Sequence, residues 1–284
     1  MEIAHKPLLD PIVQRSLSEY HRQQTADMVD LESWRTEDYL DTFDQWIKDS
    51  SYNSITGLDV FANKAYSGGA LESIVSFVHR HCRHRRLRFS QAEFVGSKIA
   101  SNHCRADWLY LESQSIDRND ALILSLPFAG TGNEHSEQQS MLDQCNRLGV
   151  PVLLDIAYFG ISYDVDINVD QPCVTDVVFS LSKCISAPLR LGMRYCRIDH
   201  DDMVQVNSDL RMINRWAVDL GIKLMNQYSH DWFIDRYRPL QKQICHELEL
   251  APSRTLTLAQ GHDPAYLRNG YNRVCITDEI HSQL

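Results

Sequence analysis

The chain has 284 residues, of which 43% are hydrophobic and 23% are charged, and its formal net charge is −10. This length and composition suit one large domain together with a smaller one, each able to bury a core. The acidic balance argues against extensive nucleic-acid binding, and no apolar run approaches the roughly 18 residues that cross a bilayer.

The first seven residues lack an apolar core, so we expect no secretory signal there. The chain has 8 cysteines, none of them in a CxxC pair, and most lie inside apolar runs. Buried free thiols in a reducing, cytoplasmic setting are the expectation.

Residues 1 to about 65 are polar and acidic, with scattered aromatic side chains. Trp34, Tyr39, Phe43 and Trp46 recur at spacings of three to five, which is typical of an amphipathic helix. The sequence therefore predicts an N-terminal helical segment over 1–65.

Residues 67–198 alternate short apolar runs with helical patterns. Helices are predicted over 69–81 and 134–148, and strands over 87–94, 108–111, 121–126, 150–154, 174–181 and 191–198. Continuous apolar strands separated by helices indicate a mostly parallel sheet covered on both faces. We predict an α/β fold with three layers, αβα, in a large domain over 66–200.

Residues 203 to about 250 have an apolar stripe at helical spacing, and 251–284 mix short apolar pieces with Gly261, Pro264 and Gly270. The pattern predicts an interdomain helix followed by a small α+β portion, together forming a third segment over 201–284.

Lys183 lies in the run Ser180-Leu181-Ser182-Lys183, directly after a predicted strand, and Arg190 follows seven residues later. Asp155 ends an earlier apolar run, with Tyr158 three residues beyond it. A lysine that forms an imine with an aldehyde cofactor needs side chains around it that bind the rest of the cofactor. A carboxylate holds the cofactor's pyridine nitrogen, a phenol meets its hydroxyl, and hydroxyls with a guanidinium hold its phosphate. Since sites in open parallel sheets lie beyond the carboxyl ends of strands, these residues predict a pyridoxal-phosphate (PLP) site.

Two upstream features fit the same site. Ser67, Gly68 and Gly69 join a loop to a predicted helix start, where exposed N–H groups bind anions, so we expect them at the phosphate. Phe94, at the end of the predicted strand 87–94, is a candidate to stack on the cofactor ring, although an aromatic side chain there equally suits a core.

The order of these motifs is SGGAL at 67–71, an aromatic residue before Gly96, TG at 131–132, DIAY at 155–158, SLSK at 180–183 and RLG at 190–192. Over roughly residues 60–198 this order resembles the class I/II (aspartate aminotransferase-like) family of fold-type I PLP enzymes. The resemblance implies that Lys183 binds the cofactor and moves a proton at the substrate Cα, that Asp155 meets the ring nitrogen, and that Tyr158 meets the ring oxygen. It also implies that Arg273 binds the carboxylate of an amino-acid or keto-acid substrate, and that the chain forms a homodimer.

The chain departs from that family in two places. Ala129 stands where the family has an asparagine on the ring oxygen, and Asn133 is the nearby candidate to replace it and to contact the substrate. The small domain is abbreviated, because Arg273 follows Lys183 by only 90 residues. An aminotransferase is the leading interpretation. A PLP-dependent lyase, decarboxylase, oxidase or β/γ-replacement enzyme remains the alternative, and a catalytically silent binding protein is the third.

Two other groups of residues have more than one interpretation. The segment 79–88 holds five arginines and three histidines, which suggests an RNA or metal site; we favour instead a solvated helix end whose cations complement the helix dipole, with no metal bound. Tyr39, Tyr52 and Asn53 are N-terminal candidates for contributing to a substrate pocket.

Overall fold

The computed structural model describes residues 6–26 and 35–284, and its centre is a seven-stranded sheet. The helices are α1 Pro11–Ala26, α2 Thr36–Lys48, α3 Ala70–His81, α4 Gly96–Cys104, α5 Gln138–Leu148, α6 Met203–Asp209, α7 Arg215–Gln227, α8 Asp231–Glu247 and α9 Thr277–Ser282. The strands are β1 Ser54–Thr56, β2 Asn63–Ser67, β3 Arg86–Phe89, β4 Trp108–Tyr110, β5 Asp120–Ser125, β6 Val152–Asp155, β7 Asp166–Asn168, β8 Val174–Ser180, β9 Gly192–Cys196, β10 Ala251–Pro252, β11 Leu258–Gln260, β12 Leu267–Arg268, β13 Tyr271–Asn272 and β14 Val274–Cys275. Trp34, part of the predicted helical pattern, lies outside the described residues.

The seven strands of the main sheet lie in the order β2-β9-β8-β6-β5-β3-β4. Strands β4, β3, β5, β6 and β8 pair in parallel, whereas β9 runs antiparallel to β8 on one side and to β2 on the other. The prediction of a mostly parallel sheet is confirmed. As a result β2, β5, β6 and β8 all end at the same edge, which we call the carboxyl edge.

The side chains of the central strands alternate between two apolar layers. On β5, Ala121 and Ile123 pack with α3 and α4, whereas Leu122 and Leu124 pack into the larger core on the opposite face. Leu153 of β6 lies in the first layer. Burial on both faces explains the continuous apolar runs in the sequence, and the three-layer αβα prediction is confirmed.

The larger core includes the N-terminal helix α2. Tyr39, Phe43, Trp46 and Ile47 are buried on one side of α2, which packs against α7 and β2. The amphipathic pattern thus predicted both the helix and its buried face. Strand β2 begins at Asn63, ahead of the boundary predicted at residue 66, and the division into three segments stays a prediction.

The region after residue 200 differs from its predicted form. Three helices, α6 to α8, replace the single helical stretch expected over 203–250. Side-chain caps mark two of the new starts, since Asp202 accepts from Gln205 N–H and Asn214 accepts from Ala217 N–H. The tail forms the three-stranded sheet β10-β11-β14 and the hairpin β12–β13, so the small α+β portion is confirmed.

Several arginines of segment 79–88 form ion pairs with aspartates of the same chain. Arg80 forms ion pairs with Asp176 and Asp202. Arg88 Nη1 lies 2.7 Å from Asp120 Oδ2 with both side chains fully buried. The guanidinium also donates to the carbonyl of Tyr110 at the end of β4 and to that of Ser115 beyond it. Paired in this way, these arginines fix strand ends, which supports a structural interpretation of the segment.

The eight cysteines all lie in the described ranges and are all free thiols, as expected. Within residues 6–26 and 35–284, no helix combines the length and the apolar character that crossing a bilayer requires.

Candidate active site

Most of the predicted site residues gather at the carboxyl edge of the sheet. Asp155 is the last residue of β6, and Ser180 is the last residue of the neighbouring β8. Strand β9 runs the opposite way, so its first residue, Gly192, and the preceding Arg190 lie at the same edge. The strand ends therefore bring together residues up to 37 positions apart in the sequence, from 155 to 192.

Lys183 follows β8 in a half-buried turn. Its Nζ lies 5.2 Å from the centre of the Tyr158 ring. Burial lowers the pKa of Lys183, and the charge of Asp155 partly opposes that shift. A desolvated amine of this kind has a larger neutral fraction than a surface lysine, and the neutral amine is the nucleophilic form.

Asp155 is buried, with 5% of its surface exposed. Burial raises the pKa of its carboxyl to about 6. Two groups oppose this shift: the Ala157 N–H, which donates to Oδ1 at 3.1 Å, and the charge of Lys183. Tyr158 is buried beside it, and burial raises the pKa of the phenol. A cation placed next to a buried aspartate with a raised pKa stabilises the ionised form of the carboxyl.

A polar cradle forms where β2, β8 and β9 meet, built from Ser67, Gly69, Ser180 and Arg190. Gly69 has φ +94°, and a Cβ at this position would come within 2.8 Å of Arg190 Nη2 and 3.5 Å of Ser180 Oγ. A side chain at 69 would thus fill the space between the guanidinium and the serine. Ser180 Oγ also donates to Ser182 Oγ at 2.9 Å, which brings a further hydroxyl to the cradle.

Ser67 supplies the clearest unmet polar group in the cradle. The residue is fully buried, and its Oγ has no hydrogen-bond partner within the described part of the chain. A Cβ at Gly192 would lie 2.8 Å from this Oγ and 2.8 Å from the Cα of Gly69. A buried hydroxyl without a partner is costly, and an anion in the cradle would satisfy it. The cradle therefore fits the phosphate of PLP.

Gly68 lies at the entrance to α3, but its N–H donates to the carboxylate of Glu72 in the first turn of the same helix. The helix start is thus partly satisfied from within the chain. A role for Gly68 at the phosphate stays a prediction.

The position of Phe94 corrects the predicted strand over 87–94. Strand β3 ends at Phe89, because the Ser90 hydroxyl accepts from Ala92 N–H at 3.2 Å and Ser90 O accepts from Glu93 N–H at 3.0 Å, forming a turn. Phe94 follows this turn with 41% of its surface exposed. Its stacking role stays a prediction.

Arg273, in the tail, contacts the loop that follows β5, and its role as a substrate-carboxylate ligand stays a prediction. Its Nη1 donates to Ala129 O at 2.7 Å, and Tyr158 lies close enough to influence its charge. Burial lowers the pKa of this guanidinium. The arginine thus joins the loop after β5 to the phenol near Lys183.

Asn133 is held away from the role suggested for it. Its Oδ1 accepts from Arg254 N–H at 2.8 Å, and its Nδ2 donates to Gln260 at 3.2 Å. Both ends of the amide therefore fasten the loop to the tail, and the geometry does not favour Asn133 as a replacement for the family's asparagine at position 129 or as a substrate ligand.

The three N-terminal candidates also make contacts within the fold. Tyr39 donates to Gly192 O at 3.1 Å, Tyr52 donates to Asp235, and Asn53 donates to Ser162 O. Tyr39 alone of the three contacts the carboxyl edge, through the backbone beneath the cradle.

Two residues near the site were missed from the sequence. Glu93 accepts from Ser125 N–H at 2.9 Å and is influenced by the charge of Asp155. Cys275 lies close enough to Lys183 and Tyr158 to raise the pKa of each. A carboxylate directly before the candidate stacking residue Phe94 was the available signal for Glu93, whereas Cys275 had none beyond its place two residues after Arg273.

Comparison with solved structures identifies the architecture. An aminotransferase from Staphylococcus aureus matches with a TM-score of 0.69 at 11% identity, covering 99% of this chain and 92% of its own. A probable N-succinyldiaminopimelate aminotransferase from Thermus thermophilus has a TM-score of 0.66 at 14% identity, covering 98% and 90%. A PLP-bound C-S lyase from Staphylococcus hominis has a TM-score of 0.62 at 15% identity, covering 88% and 71%.

This chain has the fold of fold-type I PLP enzymes. Scans against protein-family models and against the sequences of curated proteins found no match. In a fold-type I chain the carboxyl edge is where a ligand is expected, and the lysine, the carboxylate and the cradle described above all lie there.

Proposed function

We propose that this protein is a PLP-dependent enzyme that acts on an α-amino acid through Lys183, with amino-group transfer as its reaction. The observation that supports this most is the half-buried Lys183 amine 5.2 Å from the Tyr158 ring, under the influence of the Asp155 charge. The fold-type I architecture and the polar cradle with its unpartnered Ser67 hydroxyl give further support.

The cradle would hold the cofactor's phosphate. Arg190 offers a planar guanidinium that bonds two phosphate oxygens at once, and the hydroxyls of Ser67, Ser180 and Ser182 supply further donors. Gly69 leaves the room that the anion needs. Asp155 would meet the ring nitrogen as an anion, and Tyr158 would donate to the ring oxygen.

When bound, PLP withdraws electrons from the substrate's α-carbon and so acidifies its hydrogen. Lys183 would bind the cofactor covalently and be released by the incoming amine. Its neutral amine would then take the proton from Cα and deliver it to C4′ of the cofactor, a general acid–base role worth about 10²–10⁴-fold in rate. Arg273 would orient the substrate carboxylate, exchanging its bond to Ala129 O for a bidentate ion pair.

The remaining parts of the proposal concern the assembly and its setting. We infer a homodimer in the cytoplasm, acting on an amino-acid or keto-acid substrate. The resemblance of the motifs supports the dimer, and the eight free thiols support a reducing compartment.

A lyase is the second candidate. Ala129 lacks the amide that would bond the ring oxygen, and a fold-type I neighbour is a PLP-bound C-S lyase. A changed hydrogen bond at the ring oxygen alters the acidity of the groups attached to the cofactor and hence the outcome of the reaction.

One incubation distinguishes the two candidates. The purified, PLP-loaded chain is mixed with single amino acids and no keto-acid acceptor. Amino-group transfer should give one equivalent of keto acid and leave the cofactor in its amine form, so the reaction stops after one turnover. Ammonia or thiol released over many turnovers would contradict amino-group transfer and support the lyase.

A further inference from the structure

The segment 190–192, which leads into β9, has an unusual backbone conformation. Arg190 has φ +55°, in the left-handed region, although it carries a Cβ. Such a conformation is costly for any residue but glycine, and it persists only where the surrounding structure holds it in place. The guanidinium of Arg190 forms one side of the cradle, so the contacts that hold this backbone also fix the position of that charge.

All three carbonyls of segment 190–192 accept hydrogen bonds from other parts of the fold. Tyr66 Oη donates to Arg190 O at 2.8 Å, and Tyr39 Oη donates to Gly192 O at 3.1 Å. The carbonyl between them accepts at 3.0 Å from the backbone N–H of the residue after β8. A tyrosine hydroxyl therefore fixes each end of the segment.

The two tyrosines come from different elements, but their side chains lie side by side. Tyr66 is in β2, directly before Ser67, and Tyr39 is in α2, and their ring centres are 5.6 Å apart. Both are buried, with 7% and 0% of their surface exposed. Burial raises the pKa of both phenols, that of Tyr66 to about 12, so each hydroxyl remains a protonated donor around neutral pH.

The segment also packs closely against the opposite wall of the cradle. A Cβ at Gly192 would lie 2.8 Å from Gly69 Cα and 2.8 Å from Ser67 Oγ. A Cβ at Gly69 would in turn lie 2.8 Å from Arg190 Nη2. A small displacement of 190–192 would therefore change the distance between the guanidinium and the groups opposite it, and bidentate binding of a phosphate by arginine depends on that geometry.

We propose that Tyr66 and Tyr39 are positioning residues, whose hydroxyls hold segment 190–192 so that the Arg190 guanidinium faces a phosphate-sized dianion in the cradle. In this role neither phenol touches the anion, because each acts through a backbone carbonyl. That the anion is the phosphate of PLP rests on the proposed function, whereas the positioning of Arg190 for a dianion does not. Loss of either hydroxyl frees one carbonyl, and the left-handed backbone of Arg190 can then relax.

The first test uses the full-length chain without added cofactor and measures its affinity for inorganic phosphate by ³¹P NMR titration. Tyr66→Phe and Tyr39→Phe keep each ring and remove only its hydroxyl. The matched control is Tyr163→Phe, because Tyr163 is also buried and its Oη also donates to a backbone carbonyl, Ser253 O, at 3.0 Å. The Tyr163 hydroxyl bonds α8 and the tail rather than segment 190–192.

Y66F and Y39F should each weaken phosphate binding by about 5-fold or more, the change expected from loss of one hydrogen bond, and Y163F should leave it unchanged. Wild-type affinity in both folded variants would overturn the proposal. Wild-type affinity in only one of them would overturn the role of that tyrosine. If Y66F does not fold, Y39F decides the question from the other end of the segment.

A double-mutant cycle shows whether Tyr66 acts through Arg190. Arg190→Ala removes the guanidinium, so adding Y66F to R190A should change phosphate affinity by less than about 2-fold. A purely structural effect of the tyrosine would be independent of the guanidinium. Equal losses from Y66F with and without the guanidinium would therefore overturn the positioning role.

Comparison of PLP with pyridoxal separates this inference from the proposed function. Pyridoxal has the ring and the aldehyde but no phosphate, so in titrations followed by absorbance Y66F should weaken binding of PLP and leave that of pyridoxal unchanged. If wild type binds phosphate but not PLP, the proposed function fails and the positioning role stands. If wild type and Y66F bind PLP equally, only this inference is overturned, and a wild-type chain that binds neither phosphate nor PLP contradicts both.

Discussion

The Lys183 amine lies 5.2 Å from the centre of the Tyr158 ring, although 25 residues separate the two in the sequence. Tyr158 follows β6 and Lys183 follows β8, and these strands are neighbours in the sheet. The contact therefore depends on the parallel pairing of two buried strands, with Asp155 at the end of one of them. Most predictions below concern groups placed by this pairing.

Asp155→Asn should lower turnover by roughly 10²–10³-fold, the loss that follows removal of one preorganised electrostatic partner. The amide has the shape of the carboxylate but cannot stabilise a cationic ring nitrogen. Steady-state rates with the amino acid that turns over in the incubation above measure the effect. Retention of near wild-type turnover would show that Asp155 does not face the ring nitrogen.

Ser67→Ala should weaken PLP binding by about 10-fold, or 1.4 kcal/mol, because the cradle loses one donor. The cofactor-free chain should be as stable as wild type or more stable, since the variant removes a buried hydroxyl that has no partner in the described structure. Calorimetry and thermal melts with and without PLP report the two effects.

Ser97→Ala is the matched control for that measurement. Ser97 is also buried, and its Oγ also has no hydrogen-bond partner among the residues that the structure describes. It lies in α4, away from the cradle. Its removal should stabilise the chain in the same way and leave PLP affinity unchanged. Equal PLP affinities for S67A and wild type would place the phosphate elsewhere.

The contribution of Asp155 to stability without cofactor should fall as pH rises from about 4 to about 6. The folded chain holds the Asp155 proton up to a pKa of about 6, whereas the unfolded chain releases it near 3.8, so the folded state binds more protons in this window. The loss is about 3 kcal/mol at most for this one group, and it is complete above the folded-state pKa.

Urea unfolding of D155N across the same pH range isolates this contribution. The free energy of unfolding of wild type relative to that of D155N should fall as pH rises, while Asp143→Asn, at an exposed position on α5, should leave the wild-type pH dependence unchanged. A D155N slope identical to that of wild type would mean that Asp155 titrates normally in the folded chain.

The sequence was sufficient to predict the architecture and the edge of the sheet at which the candidate site residues lie. Apolar runs buried on both faces gave the parallel sheet, and the polar residues after those runs, Asp155 and Ser180, lie at its carboxyl edge as expected. Strand ends were less predictable. Phe94 lies beyond the end of β3 because the side chain of Ser90 starts a turn, a choice that strand propensity does not contain.

Contacts between distant segments were beyond reach of the sequence. Asn133 is fastened to Arg254 and Gln260, which lie more than a hundred residues further along. Glu93 accepts from Ser125, whose partner across the β5–β6 pair is Asp155, and local pattern gives no information on pairing between strands. Contacts of this kind can be identified only from the folded structure.

The central claim is that the Lys183 amine binds PLP. PLP-loaded wild-type chain should absorb visible light, and borohydride reduction followed by peptide mass spectrometry should place the cofactor adduct on Lys183. Lys183→Ala should retain the cradle and yield no lysyl adduct. An adduct on another lysine, or one that persists in K183A, would contradict the claim.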